Sequence, residues 1–152
     1  MFTDPFGLSP LDCKKVKCPS IAAVQSNSAV RTAGETMLKA SMSDNAERGA
    51  YLFNGPKGTI VVGEVKVGPP GAGAVDLGPA PDDAIGSIHT HQPIPGANGL
   101  SFPGGPPSGQ DAALVRQNNI HGVVEEPDKR HFQAYDRGGA YYTVERKPPV
   151  EP

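Results

Sequence analysis

The sequence predicts an α+β domain whose elements run helix, strands, helix, strands. Three observations predict it. Apolar residues recur at helical spacing between Ile21 and Leu38, β-branched residues crowd together after Thr59, and a second apolar stretch starts at Ser108 behind a capping residue. With 152 residues the chain has the length of one domain, a size at which a chain buries enough surface to fold alone.

The elements follow in order. Residues 1–19 are punctuated by Pro5, Gly7, Pro10 and Pro19 and read as an extended leader. Ser20 is a natural N-cap. Ile21, Val24, Ala29, Val30, Ala33, Met37 and Leu38 then give one or two helices, with a break around Ser26–Ser28. "AYLFNGPKGTIVVGEVKVG" holds two strand-like runs separated by the turn "GPKG", which is a hairpin signal. Residues 68–83 form a long connection, "AIGSIHT" a third strand, and residues 92–107 a loop rich in proline and glycine. Ser108 caps a second helix carrying Ala112, Leu114 and Val115. "HGVVEEP", "RHFQAYD" and "AYYTVER" are further strands, the last two joined through Gly138 and Gly139. The folded unit is thus expected over residues 20–147, with residues 148–152 as a tail.

The bulk numbers exclude several classes. The 19 Gly and 17 Pro gather in a few loops and at the ends, so they describe long loops around a compact centre, not general disorder. A net charge of −2 gives no electrostatic reason to bind nucleic acid, and Lys14, Lys15 and Lys17 read as a solvated arm. No run approaches the roughly 18 apolar residues of a membrane span, and the N-terminus lacks the basic-then-apolar order of a signal peptide. Cys13 and Cys18 are spaced neither as a redox pair nor as half of a structural zinc site. Two unpaired thiols are the expectation and a small disulfide loop the alternative.

The chemistry concentrates in "SIHTHQPIPGANGLSFPGGPPSGQD", Ser87 to Asp111. On a strand His89 and His91 point to the same face, so their imidazoles can chelate one ion. Zinc takes such nitrogen ligands, and its catalytic sites keep three protein ligands with a fourth position open to water. Asp111 is the candidate third ligand. Ser108, three residues earlier, lies beside it if that turn is helical. The bland readings are two polar residues at a strand end and a helix-capping Ser-x-x-Asp. His121 and His131 read as packing or surface residues.

The order Glu … His-x-His … Ser-x-x-Asp resembles the JAMM (JAB, MPN+) metalloprotease family. The resemblance implies a JAMM/cytidine-deaminase-like mixed β-sheet flanked by helices. It also implies Zn2+ held by His89, His91 and Asp111, with Ser108 steadying an oxyanion and a glutamate as general acid/base. Glu47 in "NAERGAYLF" resembles the family's context for that glutamate; Glu64 is the competitor, and Glu35 reads as helix surface. The family's spacer between the second His and the Ser is commonly about seven residues, whereas 92–107 here is longer, an excursion whose entropic cost is small. The implied reaction is zinc-dependent hydrolysis of a peptide or isopeptide bond.

A second resemblance lies in the leader. "DPFGL", Asp4 to Leu8, is similar to the signature that closes the core of Rhs (YD-repeat) polymorphic toxins, directly ahead of their C-terminal toxic domain. It implies an antibacterial effector made in the cytoplasm and delivered into a target cell by a secretion system, such as the type VI route, without a signal peptide. Its partners would be a polypeptide substrate, a cognate immunity protein and the Rhs core. The alternatives are a metal-dependent nuclease toxin and a non-catalytic binding domain of the same fold.

Overall fold

A computed structural model describes residues 16–91, 94–95, 101–102, 120–125, 131–135 and 141–145. The Ser20 hydroxyl accepts the Ala23 N–H at 3.1 Å and opens α1 (Ile21–Ser26). Asn27, in extended conformation, ends α1 and caps α2 (Ser28–Asp44) by accepting the Val30 N–H. A single side chain that competes with the helix for its own backbone therefore makes the expected break. Along α2 the buried residues Val30, Gly34, Met37, Leu38 and Ser41 fall on one face. Asn45, left-handed at φ 56°, stops the helix, and Arg48 reaches back to the Asp44 carboxylate at 2.6 Å.

β1 (Arg48–Asn54) turns through a short 3-10 segment at Pro56–Gly58 into β2 (Ile60–Val62). The run after Val62 does not continue as one strand. Leu52 pairs with Val62, and Gly49 pairs with Lys66 of β3 (Lys66–Val67). Residues 63–65 therefore stand opposite only two residues of β1, a bulge in which the Gly63 N–H still reaches the Tyr51 carbonyl at 2.8 Å.

β4 (Ala84–Thr90) is buried at every residue, as a strand covered on both faces must be. It pairs antiparallel with β1 and parallel with β7 (His121–Glu125). β8 (His131–Tyr135) and β9 (Tyr141–Glu145) follow antiparallel. The sheet order is β2-β1-β4-β7-β8-β9, with β3 also beside β1. The α+β class holds, and the sheet is mixed. A separate pair, β5 (Ile94–Pro95) with β6 (Ser101–Phe102), lies inside the stretch expected to be loop. The helix expected from Ser108 falls outside the described residues.

The helices cover one face of the sheet. Ser41 of α2 bonds Thr90 of β4, and His121, level with Gly86, meets the Pro19 carbonyl at 2.9 Å just ahead of α1. Val24, Val30, Leu38, Leu52, Ile88 and Val123 are fully buried, each such side chain contributing about 1.5–3 kcal/mol relative to exposure.

Cys18 is disulfide-bonded, in line with the alternative and not with the expectation of two unpaired thiols. Asn54 binds the Lys17 carbonyl at 2.9 Å and His121 the Pro19 carbonyl, so residues 17–19 are pinned across two strands. Cys18 is buried between those anchors, its Sγ 3.6 Å from the Ile85 carbonyl. Among the described residues no helix is long and apolar enough to cross a membrane.

Candidate functional site

β4 carries Ser87 and His89 on the face away from the helices, and His91 continues that alternation one residue past the strand. His89 and His91 are both buried, at 6% and 7% exposure. Their Nε2 atoms lie 3.1 Å apart, with ring centroids 4.9 Å apart and planes inclined at 61°. Two nitrogens at that separation subtend roughly 100° at an ion placed at the roughly 2.0–2.1 Å zinc–imidazole bond length, close to a tetrahedral angle. The same spacing suits an N–H···N hydrogen bond when one ring donates. By donor type and spacing, the pair fits zinc.

Register places the glutamate. Gly49 pairs with His89, and Arg48 N–H donates to the Thr90 hydroxyl at 3.0 Å. Extended one residue beyond both strands, the same register would set Glu47 opposite His91. Glu47 lies in the link between Asn45 and β1. It is 8% exposed, and its carbonyl accepts the Gly68 N–H at 2.8 Å. Glu64 sits elsewhere. It lies in the edge bulge with an 82% exposed side chain, 3.6 Å from Lys66 Nζ, and β1 separates it from β4. Glu35 is exposed on α2.

Gly49 makes room for this arrangement. A Cβ there would stand 2.8 Å from Leu77 Cδ2, 3.1 Å from the Ile88 carbonyl oxygen and 3.2 Å from His89 Cβ. Leu77 belongs to the connection 68–83, which crosses this face. The Tyr51 hydroxyl fastens the same connection by donating to the Gly78 carbonyl at 2.6 Å. Burial pushes the Tyr51 phenol above its ordinary pKa, and the negative charge of Asp76 adds to the effect. Ser87, directly opposite Tyr51, is fully buried, and its Oγ has no hydrogen-bond partner among the described residues.

Of the sequence-predicted site residues, the structure brings His89 and His91 together, and Glu47 is buried just ahead of β1, the strand paired with β4. Ser108 and Asp111 lie outside the described residues. Among the described residues no group of three or more His, Cys, Asp or Glu is arranged to hold a metal. Sequence reasoning missed Gly49, whose signal was a glycine entering a strand, and Ser41, a polar residue on the apolar stripe of α2. No protein-family model, curated protein or solved structure matches the chain.

Proposed function

We propose that this chain is a zinc-dependent peptidase or isopeptidase of the JAMM type, acting as the C-terminal effector domain of an Rhs toxin. The observation that carries the reading is the pair of buried imidazoles with Nε2 atoms 3.1 Å apart, with the buried Glu47 just ahead of the strand that pairs with theirs. His89 and His91 would hold the metal, with Asp111 as the third ligand. Zinc supplies Lewis acidity and lowers the pKa of water to about 7. Glu47, which is buried, would take a proton from the attacking water and return it to the leaving amine. Ser108 donates to the developing oxyanion. Leu77 of the connection 68–83 stands over Gly49, the residue paired with His89. The "DPFGL" leader supports delivery from an Rhs parent and neutralisation by a cognate immunity protein.

Elemental mass spectrometry on untagged protein tests the reading. Wild type should carry near-stoichiometric zinc after light dialysis, and His89→Ala and Asp111→Ala should lose it. Glu47→Gln should keep the metal and lose at least about a hundredfold in peptide-bond cleavage, as expected for a general acid/base. Folded wild type that takes up no zinc would sink the proposal, and zinc-loaded protein that degrades nucleic acid but not polypeptide would replace it with a nuclease.

A further inference from the structure

Thr90 stands between the two histidines and points the other way, into the helix-covered core. It is fully buried, as is Ser41. Its hydroxyl shares a 2.7 Å hydrogen bond with the Ser41 hydroxyl of α2 and accepts the Arg48 N–H of β1 at 3.0 Å. The Arg48 carbonyl lies 3.5 Å from the same oxygen. One side-chain oxygen thus joins three elements where the β1–β4 ladder ends. Past this point Glu47 and His91 are outside both strands, and regular backbone pairing no longer sets their separation.

A hydroxyl offers one donor and two acceptor positions, and these contacts use that capacity. A buried polar junction of this kind is retained only if its members are satisfied, so each group holds the others in place. Ser41 makes the point from the helix side: the rest of the buried face of α2 is Val30, Gly34, Met37 and Leu38. A hydroxyl in that stripe meets its partner on the strand that carries the histidines.

We propose that Thr90 and Ser41 are positioning residues that lock the end of the β1–β4 ladder, so that Glu47 is held opposite His91 and the two imidazoles keep their spacing. The inference rests on the hydrolase reading for its chemical meaning, but its physical content concerns the chain alone. Neither residue touches substrate. Both act through the backbone, from the opposite side of the sheet.

The test uses Thr90→Val, which keeps the shape and removes the hydroxyl, and Thr90→Ser, which keeps the hydroxyl. Ser41→Ala supplies a second route if Thr90→Val does not fold. Two readouts separate positioning from bulk stability. In the metal-free protein, hydrogen exchange at the Arg48 amide should quicken about tenfold or more in Thr90→Val, the loss expected for one net hydrogen bond. Amides at the centre of β4 should change less. In zinc competition against a chelator, Thr90→Val and Ser41→Ala should weaken binding by roughly 10–100-fold, the range for residues that orient ligands from behind. Thr90→Ser should stay within about threefold of wild type on both measures. Equal behaviour of Thr90→Ser and Thr90→Val, or an unchanged Arg48 amide in both Thr90→Val and Ser41→Ala, would overturn the inference. If wild type binds no zinc, the hydrolase reading fails while the exchange data still decide the role of Thr90.

Discussion

Gly49→Ala places one methyl group at the tightest point of the site. The new Cβ would meet Leu77 Cδ2 at 2.8 Å, the Ile88 carbonyl oxygen at 3.1 Å and His89 Cβ at 3.2 Å, where carbon atoms prefer roughly 3.5–4.0 Å. Leu77 can rotate aside. The other two atoms belong to β4, every residue of which is buried, so β1 and β4 must separate by a few tenths of an ångström. Overpacking of this kind costs about 1–3 kcal/mol. Replacing glycine in the unfolded chain returns about 0.4–1 kcal/mol, leaving a net loss of about 1–2 kcal/mol. Gly58→Ala is the matched control. Gly58 has φ +76° and no neighbour within 4 Å of the added atom, so its cost is left-handed backbone alone, roughly 1–2 kcal/mol. Urea denaturation reads both losses, and the ring resonances of His89 and His91 separate them. Both variants should be destabilised, but only Gly49→Ala should shift the rings and weaken zinc binding. A Gly49→Ala protein as stable as wild type, with unmoved histidine resonances, would refute the packing argument.

Two further outcomes follow from the same face. Burial raises the Tyr51 pKa, so the fold favours the neutral phenol. That stabilisation is complete below the ordinary tyrosine value of about 10 and is lost as pH climbs through the raised one. The phenolate absorbance titration of wild type minus Tyr51→Phe should show one tyrosine ionising above about pH 10, and a difference curve centred at or below that value would count against it. Ser87→Ala removes a buried hydroxyl that has no partner among the described residues, so stability should hold or rise by about 1–2 kcal/mol. A loss of more than about 1 kcal/mol on denaturation would mean that a buried water completes Ser87.

The local elements were legible because each has a local cause. Ser20 and Asn27 cap helices through their own side chains, and "AIGSIHT" is apolar and branched enough to be a buried strand. The interruption of the edge strand was not legible. "TIVVGEVKVG" has strand propensity throughout, and only pairing with β1 shows that residues 63–65 stand opposite two residues. The parallel pairing of β4 with β7 was equally hidden, since it joins residues more than 30 positions apart. At the site, His89 and His91 could be read from a period of two, which is a property of the strand itself. Thr90 and Ser41 could not, because their bond spans 49 residues.

The bulge bears directly on which glutamate belongs to the histidines. Glu47 and Glu64 both precede His89 in sequence and both lie beside strand-like segments, so linear order does not separate them. Geometry does. Had residues 60–67 formed an unbroken strand, its even-numbered and odd-numbered residues would have kept strict alternation along β1. The extra residue instead turns Glu64 outward, to an 82% exposed position near Lys66. On the other side of β1, the pairing of Gly49 with His89 and the bond from Arg48 to Thr90 carry the register toward Glu47. A carboxylate on an exposed edge is screened and freely hydrated. Glu47 is instead buried, ahead of the strand that pairs with β4. The position also has a topological logic. The chain leaves the carboxyl end of β4 at His91 and re-enters the sheet through β7, parallel to β4, while β1 on the other flank runs antiparallel. The two histidines thus stand at the carboxyl end of β4, where its antiparallel and parallel neighbours part.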